Sequence, residues 1–111
     1  MQTIPIHPGI NVSELCYGVM PWGSRVHGAE ADALLNSFRD VGGNVVDTAH
    51  CYAFWTSAGA GASELALGDY LERNGGRDEL IIATKGAHPA APRYRTNDRY
   101  MTRERIKADL E

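Results

Sequence analysis

The chain has 111 residues, 43% hydrophobic and 23% charged, the balance of a folded globular domain rather than a disordered segment. Its formal charge of −3, from 11 basic and 14 acidic residues with no basic stripe, argues against a nucleic-acid partner, and no apolar run reaches the roughly 20 residues of a membrane span. The start "MQTIPIHPGI" lacks the charged and apolar parts of a secretion signal, and Cys16 and Cys51 do not make a disulfide framework, so a cytoplasmic protein with two reduced thiols is expected.

Residues 1–18 read as one or two short strands that turn at Pro8-Gly9, with alternation at Ile10, Val12 and Leu15. Gly18 to Gly28 is a loop containing "MPWG". Ala29 to Val41 predicts a helix: Leu34, Leu35, Phe38 and Val41 recur at helical spacing, and Glu30 and Asp32 suit the first turn. Gly42-Gly43 ends it, because glycine accepts the left-handed conformation of a helix terminus. "NVVD" is then a short strand that stops on an acid, Asp47, and a Gly/Ala-rich loop runs from Thr48 to Ala62. Ser63 to Arg73 predicts a second helix with Leu67 and Leu71 inward, stopped by "NGG" at Asn74–Gly76. "ELIIATK", Glu79 to Lys85, is apolar without alternation, as expected of a strand buried on both faces of a parallel sheet. A polar loop with Pro89 and Pro92 leads to Thr102, the N-cap of a last helix carrying Ile106 and Leu110. The end, "TRERIKADLE", carries no helix stop, so the front piece of a longer protein is expected.

The order is a hairpin-like start, then alternating β and α. That alternation means an α/β protein with a parallel sheet or barrel, in which ligands sit at the carboxyl ends of the strands. Asp47 and Lys85 each close a strand, and Gly18 to Trp22 follows another, so all three strand ends address one face.

An acid, a lysine and a tyrosine at one face suggest a specific chemistry. A free phenol has a pKa near 10, and a neighbouring ammonium favours its phenolate form. A carboxylate beside the ammonium holds it in place. Asp47, Lys85 and Tyr52 together fit Tyr52 for general acid or base work. From the residues alone, a structural Asp–Lys ion pair with a packing tyrosine is the favoured reading.

The motifs "GGNVVDTAHCY", "SELALGDYL" and "ELIIATK" resemble the aldo-keto reductase family. The pattern is Asp47-Thr48-Ala49 with Tyr52, then Ser63-Glu64 with Gly68, then Thr84-Lys85, and "YGVMPWG" is similar to the family's glycine-containing first strand and following loop. The resemblance covers most of residues 12–111. It implies the N-terminal part of a (β/α)8 TIM barrel, with about three βα units after a short N-terminal hairpin and residues 1–111 as one portion of a single domain. It implies reduction of an aldehyde or ketone with NADPH, or alternatively NADH. Tyr52 would protonate the carbonyl oxygen, Lys85 would tune Tyr52, and Asp47 would pair with Lys85. Asp47 and the backbone of Gly18, Val19 and Met20 would lie beside the nicotinamide ribose, and Trp22 would line the substrate pocket. Trp55, in the long loop, reads equally as shaping the substrate site and as a partly buried loop anchor. The family's catalytic histidine and its adenine-side cofactor contacts would come from later strands, so residues 1–111 alone are expected not to be an active reductase. The substrate would be a small carbonyl compound of a kind set by later loops, and oligomeric state is left open.

Other features carry plainer readings. "GAGASE", Gly59 to Glu64, lacks the third glycine of a dinucleotide fingerprint and follows a loop, so it reads as a flexible approach to a helix. His50, Cys51 and His88 have no ligand spacing, and no metal is expected. Glu64 suits a helix start. Arg93 to Arg105 reads as a solvated loop and helix start. Two further functions compete: a non-catalytic, cofactor-binding regulatory relative of the same fold, and a different parallel α/β enzyme such as a sugar-phosphate isomerase. Asp47, Tyr52 and Lys85 together favour the reductase over both.

Overall fold

A computed structural model describes residues 1–88 and 101–110. The expected loop around Pro89 and Pro92, with Arg93 to Arg99, lies outside the described residues. The N-terminal stretch forms two strands, β1 (Thr3–His7) and β2 (Ile10–Ser13), paired antiparallel with Thr3 opposite Ser13. Gly9, at φ +82°, supplies the left-handed residue of the turn. The rest alternates: β3 (Cys16–Gly18), α1 (Gly28–Asp40), β4 (Val45–Asp47), α2 (Ala62–Asn74), a 3-10 turn (Arg77–Glu79), β5 (Ile81–Ala83) and α3 (Arg103–Leu110).

Strands β3, β4 and β5 make a parallel sheet in that order. Its rows are Cys16–Val45–Ile81, Tyr17–Val46–Ile82 and Gly18–Asp47–Ala83. Side chains alternate across a strand, so the middle row points one way and the outer rows the other. The middle row meets α1 and α2. Val19, Trp22, Ala31, Leu35, Val46, Leu67, Tyr70 and Leu80 form the buried core there, with Tyr17, Phe38 and Ile82 packed against it. Burying each Leu or Val of this set is worth roughly 1.5–3 kcal/mol.

The opposite face is open. Cys16, Gly18 and Ala83 are exposed there, and Val45, Asp47 and Ile81 are half-buried. This corrects the expectation that "ELIIATK" is buried on both sides. Strand β5 is also shorter than the predicted Glu79–Lys85, because a 3-10 turn takes up its start.

The helix ends follow the glycine signals. Gly42 sits at φ +86°, and the N–H groups of Gly42 and Gly43 bond the carbonyls of Arg39 (2.8 Å) and Phe38 (3.0 Å), which closes α1. Helices α1 and α2 are tied across their exposed edge by Arg73, whose guanidinium donates to both oxygens of Asp32 at 2.8 and 3.1 Å. Deeper in, Arg39 donates to the Tyr70 hydroxyl (2.8 Å), which donates to Asn36 (2.6 Å). The predicted cap of α3 is present: the Thr102 hydroxyl accepts from the N–H of Arg105 at 3.3 Å.

Candidate active site

Asp47 is the last residue of β4 and stands level with Gly18 and Ala83. Lys85 lies two residues beyond Ala83, so by alternation it faces the same open side as Asp47. The chains stay paired past the strands: the N–H of Thr48 bonds the Ala83 carbonyl (2.8 Å), and that of His50 bonds the Lys85 carbonyl (2.9 Å). Tyr52 returns over this edge through a tight turn in which its N–H bonds the Ala49 carbonyl at 3.1 Å. Ala53, just after it, is buried at a left-handed φ of 70°, a strained setting for a residue with a Cβ.

The three side chains meet. The Lys85 ammonium donates to both carboxylate oxygens of Asp47 (2.7 and 2.8 Å), to the Thr48 carbonyl (2.8 Å) and to the Tyr52 hydroxyl (3.0 Å). The Tyr52 hydroxyl in turn donates to Asp47 Oδ1 at 3.2 Å. The ammonium also lies 4.9 Å from the centre of the Tyr52 ring, within cation–π range. Burial draws the pKa of Lys85 down, but its hydrogen bonds to Asp47 and Tyr52 outweigh that, and the net value lies above that of an ordinary lysine.

The first turn of α2 secures the strand ends from behind. The Ser63 hydroxyl, wholly buried, donates to the Val19 carbonyl at 2.7 Å and bonds the Thr48 hydroxyl at 3.0 Å. Glu64 accepts from the Thr84 hydroxyl through one oxygen and meets His50 Nδ1 at 3.3 Å through the other. At the other end of the sheet, Asn44 exchanges hydrogen bonds with Ser13 (2.7 and 3.1 Å) and so fastens the β1–β2 hairpin to the start of β4. Neither Ser13 nor Asn44 stood out in the sequence. Their pairing spans 31 positions and depends on register.

Two expected site residues turn their side chains into the core. Val19 shares the parity of Tyr17, so its side chain enters the core. Its N–H bonds the Asp47 carbonyl at 3.0 Å, and its carbonyl accepts from Ser63 and from the N–H of Trp22. That same turn folds Trp22 inward, where it is 0% exposed and packs against Tyr17 and Tyr70 at ring separations of 6.3 and 6.1 Å. Trp22 therefore offers no surface to a substrate, and Val19 offers the open face neither a side chain nor a free N–H. Gly18 pairs with Asp47 and is exposed, and Met20 is exposed after it; a Cβ added at Gly18 meets nothing within 4 Å. Trp55 is 53% exposed and stands edge-on to Phe54, which in turn stacks near His88.

Among the described residues, no three His, Cys, Asp or Glu side chains gather as a metal site, and no helix is long and apolar enough to cross a membrane. Cys16 and Cys51 are free thiols, both with pKa values raised, chiefly by burial, which disfavours the thiolate.

The sequence profile of the Aldo/keto reductase family matches residues 14–111. The chain belongs to this family. As an aldo/keto reductase family member it is 37% identical to norsolorinic acid reductase stcV of Emericella nidulans over 93% of its own length and 25% of that protein's. It is 39% identical to 6-dehydroglucose reductase of Novosphingobium aromaticivorans, over 72% of this chain and 27% of the relative. It is 35% identical to aryl-alcohol dehydrogenase [NADP(+)] of Phanerodontia chrysosporium, over 69% of this chain and 20% of the relative. The chain thus spans about a quarter of the length of these curated relatives.

Proposed function

We propose that these residues form the N-terminal part of a (β/α)8 barrel whose activity is the NAD(P)H-dependent reduction of an aldehyde or ketone to an alcohol, with Tyr52 as general acid. One observation carries this reading: the Lys85 ammonium is seated on Asp47 and at the same time touches the Tyr52 oxygen at 3.0 Å. The reductase and dehydrogenase names of the relatives support the same class, and the name aryl-alcohol dehydrogenase [NADP(+)] favours NADPH over NADH.

A nicotinamide cofactor, when bound, supplies hydride to the carbonyl carbon. Gly18, Met20 and Asp47 are the residues that would hold its nicotinamide end, since they share the open edge next to Tyr52. Tyr52 gives its phenolic proton to the carbonyl oxygen. In the resting site that proton points to Asp47 Oδ1 at 3.2 Å, long for an O–H···O bond, so turning it toward a substrate costs little. The phenolate left behind keeps its bond to the Lys85 ammonium, which offsets the new charge. Asp47 and the Thr48 carbonyl keep that ammonium from swinging into solvent. Trp55 stays the candidate for the substrate side, and a small carbonyl compound is the partner. Two free thiols fit a reducing compartment such as the cytoplasm.

The test is Lys85→Met in the protein of full family length that carries these residues. Loss of the ammonium is expected to lower kcat for aldehyde reduction by about 10²-fold while NADPH still binds. A rate within twofold of the parent would remove Lys85, and the proposed proton transfer, from the mechanism.

A further inference from the structure

We propose that Glu64 is a positioning residue for Lys85, acting through Thr84 and His50; this rests on the reductase reading of the site. Lys85 lies past the end of β5, beyond the regular ladder of the sheet. Two features fix it there, and both lead to Glu64. The residue before it, Thr84, donates its hydroxyl to Glu64 Oε1. Its own carbonyl accepts from the N–H of His50 at 2.9 Å, and the His50 ring meets Glu64 Oε2 at 3.3 Å. Glu64, Thr84, Lys85 and His50 therefore close a ring, with one carboxylate oxygen on Thr84, the residue before Lys85, and the other on His50, whose N–H holds the Lys85 carbonyl.

A favourable contact with the helix dipole needs only a carboxylate in the first turn of α2. It does not require both oxygens to be spent on groups that flank Lys85. Thr84 and Lys85 point to opposite faces of the strand, so holding the Thr84 side chain against α2 sets the direction in which Lys85 leaves. Its ammonium must then reach Asp47, Thr48 and Tyr52 together, all at 2.7–3.0 Å. A small shift of the Lys85 backbone breaks that set, and positioning errors of about an ångström are enough to cost large factors in rate.

The experiment is a double-variant cycle in the full-length protein, with NADPH and a reactive aldehyde as probes. Glu64→Ala and Thr84→Ala are each expected to lower kcat about tenfold, with the aldehyde KM and the NADPH Kd changed less than about twofold. The double variant is expected to be no slower than Glu64→Ala alone, because Glu64→Ala already breaks the link through Thr84. Thr84→Ser, which keeps the hydroxyl, is expected to restore kcat. An unchanged kcat in Glu64→Ala, losses that multiply in the double variant, or no recovery in Thr84→Ser would overturn the proposal. If Glu64→Ala does not fold, the contrast between Thr84→Ala and Thr84→Ser decides alone. Tyr52→Phe is measured alongside. Full activity in Tyr52→Phe sinks the reductase reading itself, whereas an inactive Tyr52→Phe with an unslowed Glu64→Ala sinks only the role of Glu64.

Discussion

Lys85 has three protons and meets four acceptors, so its ammonium has no donor left over. The side chain is still 51% exposed, so solvent screens the pair with Asp47, and its value lies in geometry more than in stability. The raised pKa sets a sign. A group whose folded pKa exceeds its unfolded value contributes fully below the unfolded value, here 10.5, and loses that contribution as pH rises through the higher folded value. Reduction should therefore show no lysine-linked break below pH about 9. Asp47→Asn removes the strongest of the groups that raise Lys85, and is expected to move the alkaline fall in kcat to lower pH. A kcat–pH profile of the parent and the variant checks this; superimposable alkaline limbs would contradict it. At this scale Asp47, Tyr52 and Lys85 were legible in the sequence because each follows or ends a strand. The Val19 side chain turns into the core, as its parity with Tyr17 announces. Trp22 was not recoverable, since its burial depends on how the loop after β3 folds back.

Among the elements, the helices were the most legible. The predicted spans Ala29 to Val41 and Ser63 to Arg73 differ by only a residue at each end from α1, Gly28–Asp40, and α2, Ala62–Asn74. Apolar spacing and a terminal glycine are local signals, readable without the rest of the fold. Strand β5 was read too long and too buried, because the cover on an apolar strand is a property of its neighbours. The loop between β3 and α1 presses on the start of α2 in a way no motif discloses. A Cβ on Gly23 would lie 2.3 Å from the Ala62 carbonyl oxygen, and Gly23 sits at φ +73°. Gly23→Ala is expected to cost about 2 kcal/mol or more, read as a lowered Tm in thermal unfolding of the full-length protein. An unchanged Tm would mean that the loop can move away from α2 freely.

For the whole molecule, the decisive feature is a sheet with one dressed face. Tyr17, Val46 and Ile82 pack with the core beneath the helices, while among the described residues Cys16 is exposed and Val45 and Ile81 are only half-buried. A parallel sheet is normally covered on both sides, and curling the strands into a barrel is one way to cover the second. The sequence showed the alternation of β and α, and with it the class and the face that carries the strand ends. It showed the N-terminal hairpin, but neither that hairpin's separation from the parallel sheet nor its attachment through Asn44, because those depend on contacts between distant segments. The candidate site sits on the open face at the carboxyl edge of the sheet, and the proposed reduction is tested in a protein of full family length that carries it. There the most direct test of the central claim is the rate of NADPH-dependent aldehyde reduction by Tyr52→Phe. The account predicts a fall of about 10²–10⁴-fold with NADPH binding retained, the range expected for loss of a general acid. Reduction at the parental rate would contradict it.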